Sequence, residues 1–229
     1  HQNYVDFGYL DVAERTFGNL MSESGYRTLV AGKWQLNGVN TSEPGWDDLE
    51  RPHRFGFDEY CLWWFTQKGP RYANPLLQQN KEITEPGPDA YGPDVVSDYI
   101  VDFIGRHRDH PFFVYYPMIL VHSPFVPTPD SQDWDDPAKR VKNDTKYFGD
   151  MVEYMDKIIG KILDKVREEG LEQHTVIMFT GDNGTHKRIT TSTIYGDYQG
   201  GKGTLLDNGV RVPLIVYWAG SAGRSIESN

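Results

Sequence analysis

Four short polar clusters in this 229-residue chain hold the residue types that handle an oxyanion: Gly32-Lys33-Trp34-Gln35, Val121-His122-Ser123-Pro124, Gly181-Asp182-Asn183-Gly184 and Gly200-Gly201-Lys202-Gly203. Lys33 and Lys202 are cations that can neutralise charged oxygens in a preorganised site. His122 can carry a proton to or from a reacting oxygen if its pKa lies near the working pH. Asp182 and Asn183 are adjacent hard oxygen donors of the kind that Ca²⁺ or Mg²⁺ takes. Each cluster has an ordinary reading when taken alone. A loop lysine is usually a solvated charge, Asp-Asn-Gly commonly marks a turn, and a histidine before Ser-Pro can fill a satisfied loop position. Their placement changes that reading.

Three of the clusters follow apolar runs that read as buried strands, at residues 26–31, 112–116 and 175–180. A fourth such run covers residues 212–218, and the Gly200–Gly203 cluster lies in the loop leading back to it. Helical patterns separate the strands. The first spans 11–24, with Asp11 and Glu14 at capping-box spacing, and stops at Gly25. The second starts at Asp94, and the third carries Met151, Met155, Ile158, Ile162 and Val166 on one stripe before Gly170. Buried strands alternating with crossover helices predict an α/β fold with a mainly parallel sheet covered by helices on both faces. Open folds of this kind bind ligands at the carboxyl ends of their strands, so Lys33, His122, Asp182 and Asn183 are expected to converge there, with Lys202 nearby.

Composition narrows the partners. With 33 acidic against 23 basic residues and a net charge of −10, the chain has no basic block to follow a run of phosphates, so nucleic acid is not an expected partner. An acidic surface repels anionic substrates, so an anion site must bring its own local cations. No stretch approaches the roughly 20 apolar residues of a membrane span. Cys61 is the only cysteine, so no intrachain disulfide and no cysteine cluster for a metal can form.

In their order, Gly32-Lys33-Trp34, His122-Ser123-Pro124 with Pro127, Asp182-Asn183-Gly184, and Gly201-Lys202-Gly203-Thr204 followed by Gly209-Val210-Arg211-Val212-Pro213 resemble the motifs of the type I, formylglycine-dependent sulfatases. Arg54-Phe55-Gly56-Phe57-Asp58 and the helix around Met151–Asp156 also resemble that family, and the similarity covers nearly the whole chain. The resemblance implies an alkaline-phosphatase-like fold and hydrolysis of an aryl or carbohydrate sulfate ester. It implies Lys33, His122 and Lys202 as catalytic residues and Asp182 and Asn183 as ligands of Ca²⁺, with Mg²⁺ as the alternative. Gln35 and His186 join the lysines and His122 as substrate-binding candidates, and the resemblance suggests an exported protein.

Two departures qualify that expectation. Gln35 stands where the family usually has a histidine, and an amide cannot shuttle protons near neutrality. The formylglycine precursor, Cys or Ser followed by x-Pro-x-Arg, is absent from these residues, and Cys61 in Glu59-Tyr60-Cys61-Leu62 does not match it. Asp47-Asp48 reads as a solvated turn rather than a replacement metal pair. Residues 1–229 are therefore expected to be a single partial catalytic domain lacking the nucleophile segment and a C-terminal region. Trp63, Trp64 and Phe65 offer either an aromatic platform for a sugar or core. A phosphodiesterase or phosphonate monoester hydrolase of the same superfamily, and a catalytically inactive binding module, remain as alternatives.

Overall fold

A computed structural model describes residues 8–38, 45–63 and 69–220. Its centre is strand β1 (Arg27–Lys33), whose residues 28–32 are all buried. Strand β2 (Glu59–Trp63) runs parallel to it, Leu29 opposite Glu59 and Lys33 opposite Trp63. Strand β5 (Phe112–Tyr115) runs parallel on the other side, Arg27 opposite Phe112. Strands β3 (Leu77–Gln79) and β4 (Glu82–Thr84) extend the sheet antiparallel, giving the order β4-β3-β2-β1-β5.

Side chains alternate across a strand, so β1 and β2 feed two cores. Leu29, Ala31, Cys61 and Trp63 face a larger core with Val96, Ile100 and Phe103 of helix α3 (Gly92–Arg106) and Met151 and Ile158 of helix α4 (Phe148–Glu168). Val30, Tyr60 and Leu62 face a smaller one closed by Trp34, Phe55 and Phe57. Helix α1 (Phe17–Glu23) and the short helix α2 (Arg51–Arg54) lie on that second side, Phe17 meeting Phe57 and Phe113 edge-on. Each buried Leu, Ile or Phe contributes about 1.5–3 kcal/mol. Helices thus cover both faces of a central α/β sheet, as the alternation of elements predicts.

Three details differ from the sequence reading. The first helix begins after Thr16 rather than at Asp11, because Thr16 and Asn19 form the capping box and the Thr16 hydroxyl also donates to the Phe55 carbonyl at 2.8 Å. Asp11 instead accepts the Ala13 amide at 2.9 Å within a turn. Strand β2 lies between the run at 26–31 and the helix at Asp94, in a stretch where the sequence pattern predicts no strand. The runs at 175–180 and 212–218 form strands β6 (Ile177–Thr180) and β9 (Leu214–Tyr217), but these pair antiparallel with each other in a separate two-stranded sheet. An apolar run specifies a strand, whereas its neighbour is decided by non-local packing. Strands β7 (Thr190–Thr193) and β8 (Gly196–Gln199) form an exposed hairpin between β6 and helix α5 (Asp207–Val210).

Candidate functional site

The last residue of β1 is Lys33, and the backbone just before it determines where it points. Gly32 has φ +126°, a region that L side chains rarely adopt, and a Cβ there would lie 2.2 Å from the Pro117 carbonyl oxygen. That close approach lets the Lys33 amide donate to the same carbonyl at 2.8 Å. The end of β1 is thereby tied to the loop after β5, which carries His122. Gln35 follows with φ 63°, a left-handed conformation unusual for a residue with a side chain, and is half-buried.

His122 donates from Nδ1 to the Ser123 carbonyl at 2.7 Å, which leaves Nε2 as the ring nitrogen available to exchange a proton. The loop is braced by Tyr72, a buried residue whose hydroxyl donates to the carbonyls of Ile119 and His122. A third contact comes from Arg71, whose Nη2 donates to the Ser123 carbonyl that also receives His122.

Asp182, Asn183 and His186 lie in the loop after β6, and Lys202 in the loop after β8. The Lys202 amide donates to the Thr185 carbonyl at 3.0 Å and the Gly184 amide to the Gly209 carbonyl at 2.9 Å, so the two loops are stitched together. A Cβ on Gly201 would lie 2.2 Å from Asn208 Oδ1, so only glycine permits this approach.

The charges of these groups act on one another. Burial lowers the Lys33 pKa, the Lys202 and Arg71 charges lower it further, and Asp182 opposes them. The His122 pKa is lowered by burial and by Arg71, Lys202 and Lys33, against the stabilising bond to Ser123. Burial and then Asp182 raise the Tyr115 hydroxyl pKa, placing that carboxylate near the end of β5 as well as the end of β1. His186 is lowered by burial and then by Arg188, Lys202 and Lys187. Its Nδ1 accepts the Arg188 amide at 3.1 Å, and its ring meets Phe125 edge-on at 5.7 Å.

Lys33, His122, Lys202 and Asp182 therefore share one electrostatic neighbourhood. Arg71 is the member that the sequence did not reveal, since a single arginine after Gly69-Pro70 carries no local signal. Such a cluster has the charges to hold a tetrahedral oxyanion and a histidine nitrogen that can exchange a proton. A separate depression of about 390 Å³ is lined by Asp130, Asp133, Asp150 and Glu153, with Lys146 already paired to Asp133 at 2.7 Å, so its charge balance disfavours the same ligand.

For a hard cation, Asp182 and Asn183 supply two oxygen donors, whereas Ca²⁺ takes about six to eight. Among the described residues no group of three or more His, Cys, Asp or Glu gathers to hold a metal ion, so these side chains make only part of a coordination sphere. Asp48 pairs with Arg54 at 2.8 Å and accepts the Glu50 amide at 2.9 Å, a turn-stabilising role. Cys61 is fully buried in β2, and burial pushes its thiol up to about 12. Trp63 is likewise buried, beneath the Arg71 guanidinium at 4.4 Å, which makes it core and cation support rather than an open sugar platform. Trp64 and Phe65 lie outside the described residues. No described helix is long and apolar enough to cross a membrane.

Comparison with known proteins gives the same direction. Human arylsulfatase H is 33% identical over 175 residues, covering 71% of this chain and 29% of that protein. Human arylsulfatase A is 27% identical over 234 residues, covering 93% of this chain and 44% of that protein. A solved structure of Ps i-CgsB in complex with k-i-k-neocarrahexaose superimposes with a TM-score of 0.67 at 22% identity, covering 92% of this chain and 49% of that one. The chain thus spans less than half the length of these relatives. The sulfatase family model matches residues 1–229 from end to end, and the chain belongs to the sulfatase family.

Proposed function

We propose that the intact protein hydrolyses sulfate esters, and that Lys33, Lys202 and His122 are the residues of this chain that act on the ester. The observation that carries this reading is the convergence of two lysines and a histidine at the carboxyl end of β1. A sulfate seated between Lys33 and Lys202 has its oxygens neutralised by fixed cations that need no reorganisation as charge develops. His122, held through Nδ1 by Ser123, protonates the leaving oxygen from Nε2. A bound anion offsets the repulsion from the neighbouring cations, so substrate binding itself favours the protonated, acid form of His122.

Gln35, two residues after Lys33, and His186, in the loop that carries Asp182, are proposed as further hydrogen-bonding groups for the substrate. Asp182 and Asn183 are proposed as two ligands of a divalent ion, Ca²⁺ or Mg²⁺, which when bound would supply Lewis-acid charge beside the sulfate. A formylglycine has no matching position among these residues, because the Cys/Ser-x-Pro-x-Arg pattern is absent and Cys61 is shut inside the sheet. Residues 1–229 are accordingly read as part of one catalytic domain. The saccharide bound by the Ps i-CgsB neighbour and the arylsulfatase relatives support a carbohydrate or aryl sulfate ester as substrate.

The test is turnover of a chromogenic aryl sulfate with added calcium by the intact protein, by its His122→Ala and Lys202→Ala variants, and by the 229-residue chain. The intact protein is expected to turn over and each variant to lose at least about 100-fold in kcat/KM, as removal of an acid or an electrostatic group does. The 229-residue chain is expected to show no turnover for want of a nucleophile. Wild-type activity that survives both substitutions would overturn the assignment.

A further inference from the structure

Arg71 is built into the site differently from the arginines that sit in ion pairs. Arg54, Arg106, Arg108, Arg140 and Arg167 each pair with a carboxylate. Arg71 has no carboxylate within ion-pairing distance among the described residues, although it is half-buried. Its guanidinium carbon lies over the Trp63 ring, 4.4 Å from the centroid, and 5.7 Å from the Tyr72 ring centroid. Trp63 is itself fixed, its Nε1 donating to the Gly69 carbonyl at 2.8 Å. The side chain is therefore held by aromatic faces, which orient a planar cation without neutralising it. One donor is spent on the Ser123 carbonyl, and the rest of the fork is unspent among the described residues.

Keeping such a cation half-buried without a counter-charge is unfavourable unless a ligand supplies one. Lys33 and Lys202 already offer two charges to a sulfate monoester, which carries a single negative charge. A third cation beside them exceeds what the scissile group needs. The planar fork, unlike an ammonium, matches a two-oxygen acceptor.

We propose that Arg71 is a specificity-determining residue that receives a second anionic group of the substrate, a carboxylate or a further sulfate, next to the sulfate held by Lys33 and Lys202. This rests on the sulfate-ester reading above and deepens it: the preferred substrate is a polyanionic saccharide rather than a simple aryl sulfate. Arg71 touches the substrate through its free N–H groups, while its bond to Ser123 keeps it in register with His122.

The experiment compares three sugars on the intact protein: a monosulfated sugar with neutral neighbours, the same sulfated unit linked to a uronate, and a disulfated unit. Both kcat/KM and calorimetric affinity are measured for wild type, Arg71→Gln, Arg71→Lys and the distant surface control Lys157→Gln. Wild type is expected to prefer at least one dianionic sugar over the monosulfated sugar by about tenfold or more, typical of a bidentate charge-assisted contact. The preferred arm identifies the carboxylate or the second sulfate. In Arg71→Gln that ratio is expected to fall to within about twofold of unity, in Arg71→Lys to an intermediate value, and in Lys157→Gln to stay at the wild-type value. The proposal is overturned if wild type shows no preference, or if Arg71→Gln weakens all three sugars by the same factor, the signature of a residue that only supports the His122 loop or grips the scissile sulfate. Calorimetry separates this from the activity itself, since loss of turnover on every sugar with the affinity ratio intact would count against sulfate hydrolysis and leave the Arg71 contact standing.

Discussion

Replacing Gly32 by alanine tests the geometry that aims Lys33. The added Cβ would sit 2.2 Å from the Pro117 carbonyl oxygen, and the residue would be held at φ +126°. Strain of that backbone class costs about 1–3 kcal/mol for a residue with a side chain. Relieving the clash requires the end of β1 to draw away from Pro117, which breaks the Lys33 amide bond to that carbonyl and removes about another 1 kcal/mol. Together these give about 2–4 kcal/mol, a large share of the roughly 5–15 kcal/mol that holds a domain. At a urea slope of about 2 kcal/mol per molar, the unfolding midpoint falls by about 1–2 M. Gly25→Ala is the matched control, because Gly25 has φ +84° but nothing within 4 Å of the new Cβ, so it carries only the conformational part. Urea unfolding followed by tryptophan fluorescence measures both variants in the intact protein. If Gly32→Ala lies within about 0.5 kcal/mol of Gly25→Ala, the contact with Pro117 does not constrain β1 and the argument for how Lys33 is placed collapses.

Three further outcomes are expected. His122 titrates below its ordinary 6.5, and Arg71→Gln moves its pKa upward by removing a neighbouring cation; a histidine NMR titration giving 6.5 or more in the wild type would contradict the site electrostatics. Glu59 is pushed up by burial but held down to about 2 by hydrogen bonds from Arg106, His107 and Tyr99. Its contribution, held to about 1 kcal/mol because the partly exposed pair is screened by solvent, is therefore fully present above about pH 4.5 and lost as pH falls through about 2. Glu59→Gln should cost about that much at pH 7 and flatten the acid limb of the stability curve, and an unchanged limb in acid-unfolding scans would be the contrary result. Cys61, with its thiol pushed up to about 12 inside the core, is expected to resist a thiol reagent at pH 8 in the native protein and to react on unfolding; fast native labelling would show that β2 is not buried as described.

The residue types and order of Lys33, His122, Asp182 and Lys202 were legible in the sequence because chemistry-bearing side chains punctuate apolar runs, and a run of buried residues is a local signal. So were the helices: Gly92–Arg106 and Phe148–Glu168 carry helical spacing and a first-turn proline or a closing glycine that act within a few residues. The sheet order was not legible. Strand β2 lies between β1 and β3 through pairings with residues about 16–30 positions away, and nothing in Glu59–Trp63 itself names those partners. The antiparallel pairing of β6 with β9 has the same cause, since apolar runs of similar length are interchangeable until packing selects among them. Arg71 shows the limit most clearly. Its identity is local, but its meaning comes from the Trp63 ring beneath it, the Ser123 carbonyl it shares with His122, and the lack of a neighbouring carboxylate among the described residues. Sequence determines which charges a chain owns, whereas tertiary structure decides which are left without a partner, because burial and pairing are properties of the folded neighbourhood.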